Sequence, residues 1–159
     1  MTSQAIDAMS ADHSKLGQYQ ENDQTLEPKL RESIQQFVRG VLGCTCPDEV
    51  FQTIRIDHHP QALIGTQPAC SIAIGGRLLI LVIVTTNWRA TVNELGEILE
   101  RGRQLRDRER FNRFRLVVAT PESQLAGTNL LSNFKLLGMQ DNRIHLHVVS
   151  PHQLPNIEL

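Results

Sequence analysis

The segment "ACSIAIGGRLLILVIVTTN", from Ala69 to Asn87, constrains the fold of this chain more than any other part of it. Apolar and polar residues alternate from Ala69 to Ile74, and the following Gly75-Gly76 is typical of a tight hairpin turn. The next run, Leu78 to Val84, is almost purely branched aliphatic, which is typical of a strand covered on both faces. It is too short for the ~20 residues that cross a bilayer. The sequence therefore predicts a buried central hairpin and no membrane-spanning segment.

Apolar periodicity predicts the elements on either side of this hairpin. Spacings of three and four predict three helices, which run from Pro28 to a stop at Gly43, from Thr91 to about Arg110, and through Leu130 and Leu137 to Gly138. Further strands are predicted at Val50 to Ile56, Phe114 to Thr120 and Arg143 to Ser150. The order α-β-β-β-α-β-α-β predicts an α/β domain, with a mixed sheet of about five strands and helices on both faces.

Length and composition divide the chain into a tail and one domain. Its 159 residues and net charge of -1 are typical of a single globular domain. Residues 1–25 are polar and acidic without a sustained apolar period, which predicts a disordered acidic tail before a domain at 26–159. The start "MTSQAIDAMSADHSK" lacks the basic and apolar regions of a signal peptide. A cytoplasmic location is therefore expected.

The segment "LGCTCPDEVF", Leu42 to Phe51, places two thiols between two predicted helices. If Pro47 opens the second helix, Cys46 is its N-cap, where free backbone N–H groups favour a thiolate. The nearby Asp48 and Glu49 oppose that charge. A disulfide between Cys44 and Cys46 would close a tight ring and be easily reduced, which suits a redox couple.

Metal binding is a second interpretation of the same thiols. Two thiolates need two more donors for a closed zinc site, and Cys70, His58 and His59 are the nearest in sequence. Zinc and iron are the candidate metals. The structural alternative is that Cys44 and Cys46 are two small, partly buried residues at a helix junction. An odd count of three cysteines argues against a disulfide framework.

Two other groups of polar residues are candidate sites. His145 and His147 share one face of the last predicted strand, where they could bind a metal or phosphate or form the polar side of a half-buried strand. Polar residues also follow three predicted strands and form either a pocket rim or ordinary caps and turns; they are Thr85 to Trp88, Thr120 to Ser123 and Ser150 to His152. The motifs GxxxxGK[ST], GxGxxG, GxSxG and HExxH are absent, so the common enzyme classes that use them lose support.

Arginine supplies thirteen of the sixteen basic residues, and many lie on the long predicted helix and its exit. Arg103, Arg106, Arg110 and Arg113 follow a spacing of three and four, which would form a stripe suited to phosphate. Asp107 lies four residues after Arg103, so part of this charge can be neutralised within the helix. The alternatives are a nucleic-acid surface and a solvated, salt-bridged helix face.

The layout from about Val50 to Thr120 resembles the core of restriction-endonuclease-like domains of the PD-(D/E)xK type. The likeness lies in a strand, the hairpin "CSIAIGGRLLILVIVTTN", a long helix and another strand. In such enzymes an acid near the start of the second strand and an acid-x-lysine set near the end of the third hold magnesium. This chain has Cys70 and Ser71 at the first place and Val82 to Asn87 at the second. The resemblance therefore implies a non-catalytic relative in which the arginine helix contacts phosphate.

Three functional hypotheses follow from the sequence. The first is a thiol-based redox or metal site on a small α/β domain of the kind found in bacteria. The second is a nuclease-like domain that binds nucleic acid without cleaving it. The third is a protein–protein interaction module, such as a homodimer formed through a sheet edge.

Overall fold

The structure of this chain is a computed structural model that describes residues 26–58, 60, 68–138 and 141–159. Three α-helices flank five strands, and their bounds are as follows: α1 (Pro28–Gln36), β1 (Ile54–Asp57), β2 (Cys70–Ile74), β3 (Leu78–Val84), α2 (Trp88–Arg108), β4 (Arg113–Ala119), α3 (Ser123–Leu136) and β5 (Ile144–Val149). The predicted α/β class and element order are confirmed. The predicted tail at 1–25 lies outside the described residues.

The five strands form one mixed sheet in the order β1-β2-β3-β4-β5. The Gly75-Gly76 turn, in which both residues have positive φ, joins β2 to β3 as an antiparallel pair. β1 is also antiparallel to β2, whereas β3, β4 and β5 run parallel. The apolar run of β3 is buried along six of its seven residues, as expected for a strand covered on both faces.

Helical layers cover both faces of the sheet, as predicted. α1, the segment that follows it and partly buried Leu154 and Ile157 pack on the face formed by residues such as Ile72 and Val117. α2 and α3 connect the parallel strands and pack on the opposite face, over Leu116 among others. The described part of the chain contains no helix that is both long and apolar enough to cross a membrane.

The joint between the first helix and β1 differs from the sequence prediction. After α1 the chain widens into a π-helical segment, Phe37–Val41, before Gly43 ends it with φ 68°. The second helix is a short 3-10 helix, Asp48–Gln52, and Pro47 rather than Cys46 is its N-cap. The predicted N-cap position of Cys46 was therefore wrong, since the extended backbone of Pro47 delays the helix by one residue. β1 begins at Ile54, not Val50, because the 3-10 helix continues to Gln52.

Candidate thiol site

The joint that carries the thiols is fixed by the irregular end of the first helix. In the π-helical segment the N–H of Leu42 donates to the carbonyl of Phe37, five residues earlier. The N–H of Cys44 then donates to the carbonyl of Val38 at 3.0 Å. This bond is made available by the left-handed conformation of Gly43, which turns the chain back over the helix end.

Cys44 and Cys46 are joined by a disulfide whose Cα atoms lie 5.5 Å apart. The two ends of this bond have different surroundings. Cys44 is 8% exposed and belongs to the hydrophobic core under the first helical layer. Cys46 is only partly buried at the edge of the same cluster. Of the two sulfurs, that of Cys46 therefore belongs to the more exposed residue.

Arg39 holds the outer side of the joint. Its guanidinium donates to the carbonyl oxygen of Cys46 at 2.9 Å and forms an ion pair with Asp48. The same group lies 5.0 Å from the ring centroid of Phe51, as in a cation–π contact. These contacts fix the backbone at Cys46, while Asp48 neutralises much of the charge of Arg39.

Arg115 lies beneath the joint, on β4. Its Nη1 donates to the carbonyl of Leu42 at 2.7 Å and lies 2.9 Å from Nε2 of His147. The residue is 6% exposed, and its buried Nε has no hydrogen-bond partner. Neither the carbonyl of Leu42 nor the ring of His147 is an acid. Among the described residues, no carboxylate pairs with Arg115. Burial, followed by the nearby charge of Arg113, lowers the pKa of this guanidinium.

The two histidines of β5 complete this polar cluster. Burial is the main reason that the pKa of His147 falls to about 4, and the charges of Arg115 and His145 add to it. His147 is therefore neutral at pH 7, and its Nε2 can accept the hydrogen bond from Arg115. Burial likewise lowers the pKa of His145. Both histidines are half-buried on β5.

The other predicted metal ligands are placed as follows. Cys70 is 1% exposed on β2, in the same core cluster as Cys44. Burial, with a smaller contribution from Asp57, raises the pKa of its thiol to about 11, so this thiol keeps its proton at neutral pH. His58 is exposed after β1, and His59 lies outside the described residues. Within the described ranges, no three His, Cys, Asp or Glu side chains lie together as metal ligands would.

The predicted arginine stripe divides into two parts. Arg103 pairs with Glu100 and Asp107, and Arg106 is 2% exposed and binds Asp141 at 2.7 Å. The hydrogen bond with Arg106 lowers the pKa of the Asp141 carboxyl. The remaining members, Arg110 and Arg113, are exposed. They lie beyond the last residue of α2, so the four side chains do not form one helical stripe.

The carboxyl ends of the parallel strands carry the predicted polar rim. Ser123 and Ser150 share a hydrogen bond of 2.9 Å between their hydroxyl oxygens, and Nε1 of Trp88 donates to Glu122 at 3.3 Å. The hydroxyl of Thr120 is buried without a partner. Four of the rim side chains therefore bond to one another in two pairs, as caps and turns do.

Sequence reasoning missed Arg115 as a member of the site. It grouped this residue with the arginines of the preceding helix, although "FRLVVAT" was predicted as a strand. The available signal was an arginine inside an otherwise apolar strand, combined with two histidines on one face of the next predicted strand. Comparison of the chain with protein-family models, with curated proteins and with solved structures found no match.

Proposed function

We propose that Cys44 and Cys46 form the redox-active pair of a thiol–disulfide exchange site. The observation that carries the proposal is the unequal burial of the two ends of their disulfide. Cys46 is the more exposed partner, whereas Cys44 is 8% exposed and lies in the core. An incoming thiolate reaches the Cys46 sulfur more easily, and exchange depends on which sulfur is open to attack.

The exchange proceeds in two balanced steps with an external thiol. The thiolate of a low-molecular-weight thiol attacks Sγ of Cys46, which forms a mixed disulfide and breaks the bond to Cys44. Cys44 leaves as a thiolate and takes the electron pair of that bond. A second external thiolate then attacks the sulfur of the first, releasing the oxidised thiol and leaving Cys46 reduced. The reverse sequence oxidises the pair at the expense of a disulfide.

The tight ring supports an exchangeable bond rather than a permanent one. Only one residue separates the two cysteines, so the disulfide restrains almost no length of unfolded chain and adds little stability by that route. A bond that contributes little stability can open and close without unfolding the domain. Cys70 is buried and keeps its proton at neutral pH, so it is not a third exchanging thiol.

Three other functions stay predictions. A zinc or iron site at Cys44, Cys46, Cys70, His58 and His59 would need the disulfide to be reduced first, because a bonded sulfur is not a thiolate ligand. A non-catalytic nuclease-like domain or an interaction module would leave the pair without a chemical role.

The test is an anaerobic redox titration of the purified protein against mixtures of a reduced and an oxidised dithiol. Alkylation and mass spectrometry then count the free thiols at each potential. We expect two thiols to appear together in the wild type and in a Cys70→Ala control. Failure of the pair to reoxidise in the oxidised dithiol, or bound zinc or iron in the fresh protein, would contradict exchange.

Single cysteine variants test the assigned roles. In Cys44→Ser the accessible Cys46 should form a mixed disulfide with an external disulfide and keep it, since no partner thiol resolves it. In Cys46→Ser the buried Cys44 should react more slowly, by about tenfold or more, because exchange needs an accessible thiolate. Equal rates of mixed-disulfide formation in the two variants would contradict the unequal accessibility of Cys44 and Cys46 on which the proposal depends.

A further inference from the structure

Three arginines lie in a row where the parallel strands begin. Arg77 immediately precedes β3, Arg113 is the first residue of β4, and Arg143 immediately precedes β5. The N–H of Arg113 donates to the carbonyl of Arg77 at 3.0 Å, and the N–H of Phe114 donates to the carbonyl of Arg143 at 2.9 Å. Backbone pairing of the sheet therefore sets these three positions side by side, at the ~4.8 Å spacing of adjacent strands.

A fourth arginine lies in the turn that leads from α2 to this edge, and its backbone conformation is unusual. Arg110 ends the turn after α2 with φ 62°, and among the described residues it is the one non-glycine with positive φ. Glycine is the usual residue at such a helix end, because side chains are disfavoured there by about 1 kcal/mol or more. Strained conformations of this kind are concentrated at functional positions. We call Arg77, Arg110, Arg113 and Arg143 the amino-edge surface.

These four arginines are exposed and largely without acid partners in the described structure. Their single ion pair is a long one, 3.8 Å from Arg143 to Asp141. Asp141 itself is held more closely by Arg106, at 2.7 Å. The other acids near the end of α2 are also engaged, since Asp107 pairs with Arg106 and Glu109 with Arg108. The amino-edge surface is therefore a local positive region on a chain whose net charge is -1.

We propose that the amino-edge surface binds the phosphate backbone of a nucleic-acid duplex. The arginine guanidinium presents a planar pair of donors that matches a phosphate group, and all four cations are arginine. Asn112 and Asn142 are exposed directly before Arg113 and Arg143, and their side-chain amides can also donate to phosphate oxygens. This inference is independent of the thiol site, which lies in the layer over the sheet rather than at its edge.

The composition of the surface favours a duplex over other anionic partners. Phe111, the aromatic residue nearest to Arg110, is 9% exposed, so it offers no platform for stacking unpaired bases. Binding in the plane of a membrane combines basic residues with apolar side chains that insert. Here the exposed residues directly before Arg113 and Arg143 are asparagines, Asn112 and Asn142.

The experiment measures binding of a fluorescent DNA duplex by anisotropy over a series of salt concentrations. The test variant is Arg77→Gln with Arg113→Gln, which removes two charges and keeps the backbone. The matched control is Lys29→Gln with Arg89→Gln, which removes two exposed charges from α1 and from the opposite end of α2. Thermal melts confirm that both variants fold. A second test pair, Arg110→Gln with Arg143→Gln, covers the other half of the surface.

The wild type should bind with log K falling by ~3 to 4 for each decade of salt, as expected for four phosphate contacts. Each test pair should weaken binding by about tenfold at low salt and reduce that slope by about 2. The control should stay within about twofold of the wild type. Equal losses in test and control variants would overturn the proposal. So would absence of duplex binding, or binding only to vesicles that contain anionic lipid.

Discussion

Arg115 donates a hydrogen bond of 2.7 Å to the carbonyl oxygen of Leu42, 73 residues earlier in the chain. This bond attaches the central strand β4 to the joint that carries the disulfide, two residues before Cys44. Burying a cation without an opposing charge is unfavourable. Under the proposed exchange, Cys44 leaves as a thiolate two residues from this bond, and that thiolate supplies a negative charge. We therefore infer that the guanidinium of Arg115 favours the reduced pair.

The first prediction concerns this cation. Replacing Arg115 with Met should disfavour the reduced form, because the Cys44 thiolate loses a nearby positive charge. We expect the equilibrium constant for reduction by a reference dithiol to fall by about tenfold, or about 30 mV for a two-electron couple. Equilibration with that dithiol at pH 7, followed by thiol counting, measures the change.

A neighbour on the same strand supplies the control for this experiment. Arg113→Met removes an exposed cation two residues from Arg115 and should shift the equilibrium by less than about twofold, since exposed charges are screened by solvent. Arg115→Lys should lie between the wild type and the Met variant. An unchanged potential in Arg115→Met would remove Arg115 from the mechanism while leaving the exchange itself intact.

The second prediction concerns pH and His147. The pKa of this histidine is about 4 in the folded protein and near its ordinary value of 6.5 in the unfolded chain. Between those values the unfolded state binds the additional proton, so stability is complete above pH 6.5 and decreases as the pH falls towards 4. The shift corresponds to at most about 3 kcal/mol. Urea unfolding at pH 7 and pH 5 measures the decrease.

A histidine variant isolates the contribution of that one group. His147→Gln replaces the accepting ring nitrogen with an amide oxygen that can accept from Arg115 but is not protonated in this range. It should therefore reduce the difference in stability between pH 7 and pH 5 by about 1–2 kcal/mol. His152→Gln, at an exposed residue, should leave the difference unchanged. If His147→Gln retained the full pH dependence, another group would have to cause it.

The sequence predicted the fold well because its signals are local. The apolar run lies within β3, and the hairpin glycines and the glycine stops at Gly43 and Gly138 lie next to the elements that they end. The predicted bounds of the elements differ from the observed ones where two neighbouring elements could include the same residues. The π-helical segment and the late start of the 3-10 helix depend on how the joint packs over the sheet, which periodicity does not report.

The candidate site was only partly predictable for a related reason. Cys44 and Cys46 are separated by a single residue and could be singled out directly. Arg115 and His147 join them through strand register and through a layer contact, both of which are long-range relationships. The amino-edge surface likewise combines Arg77 with Arg143, which no pattern along the chain connects.

The third prediction uses two glycines in the helices that cover one face of the sheet. A Cβ atom added at Gly102 on α2 would overlap the buried ring of Phe114, whereas one added at Gly127 on α3 would make ordinary contact with Val148. Gly102→Ala should therefore destabilise the fold by about 1–3 kcal/mol. Gly127→Ala should stabilise it by about 0.5–1 kcal/mol through helix propensity. Chemical denaturation of both variants measures the opposite signs, and a Gly102→Ala protein as stable as the wild type would contradict the packing of α2 on β4.

The fourth prediction separates stability from binding at Arg110. Because its φ of 62° suits glycine, Arg110→Gly should relieve strain and stabilise the fold by about 1 kcal/mol. If Arg110 contacts phosphate, the same change should weaken duplex binding severalfold. It should also reduce the slope of log K against log salt concentration by about 1. Thermal melts and anisotropy on one preparation measure both effects.

Arg108→Gly, at the last residue of α2, is the control. It should destabilise the fold, since glycine is unfavourable in a helix. If the Arg110→Gly protein were more stable and bound the duplex as well as the wild type, Arg110 would not contact phosphate.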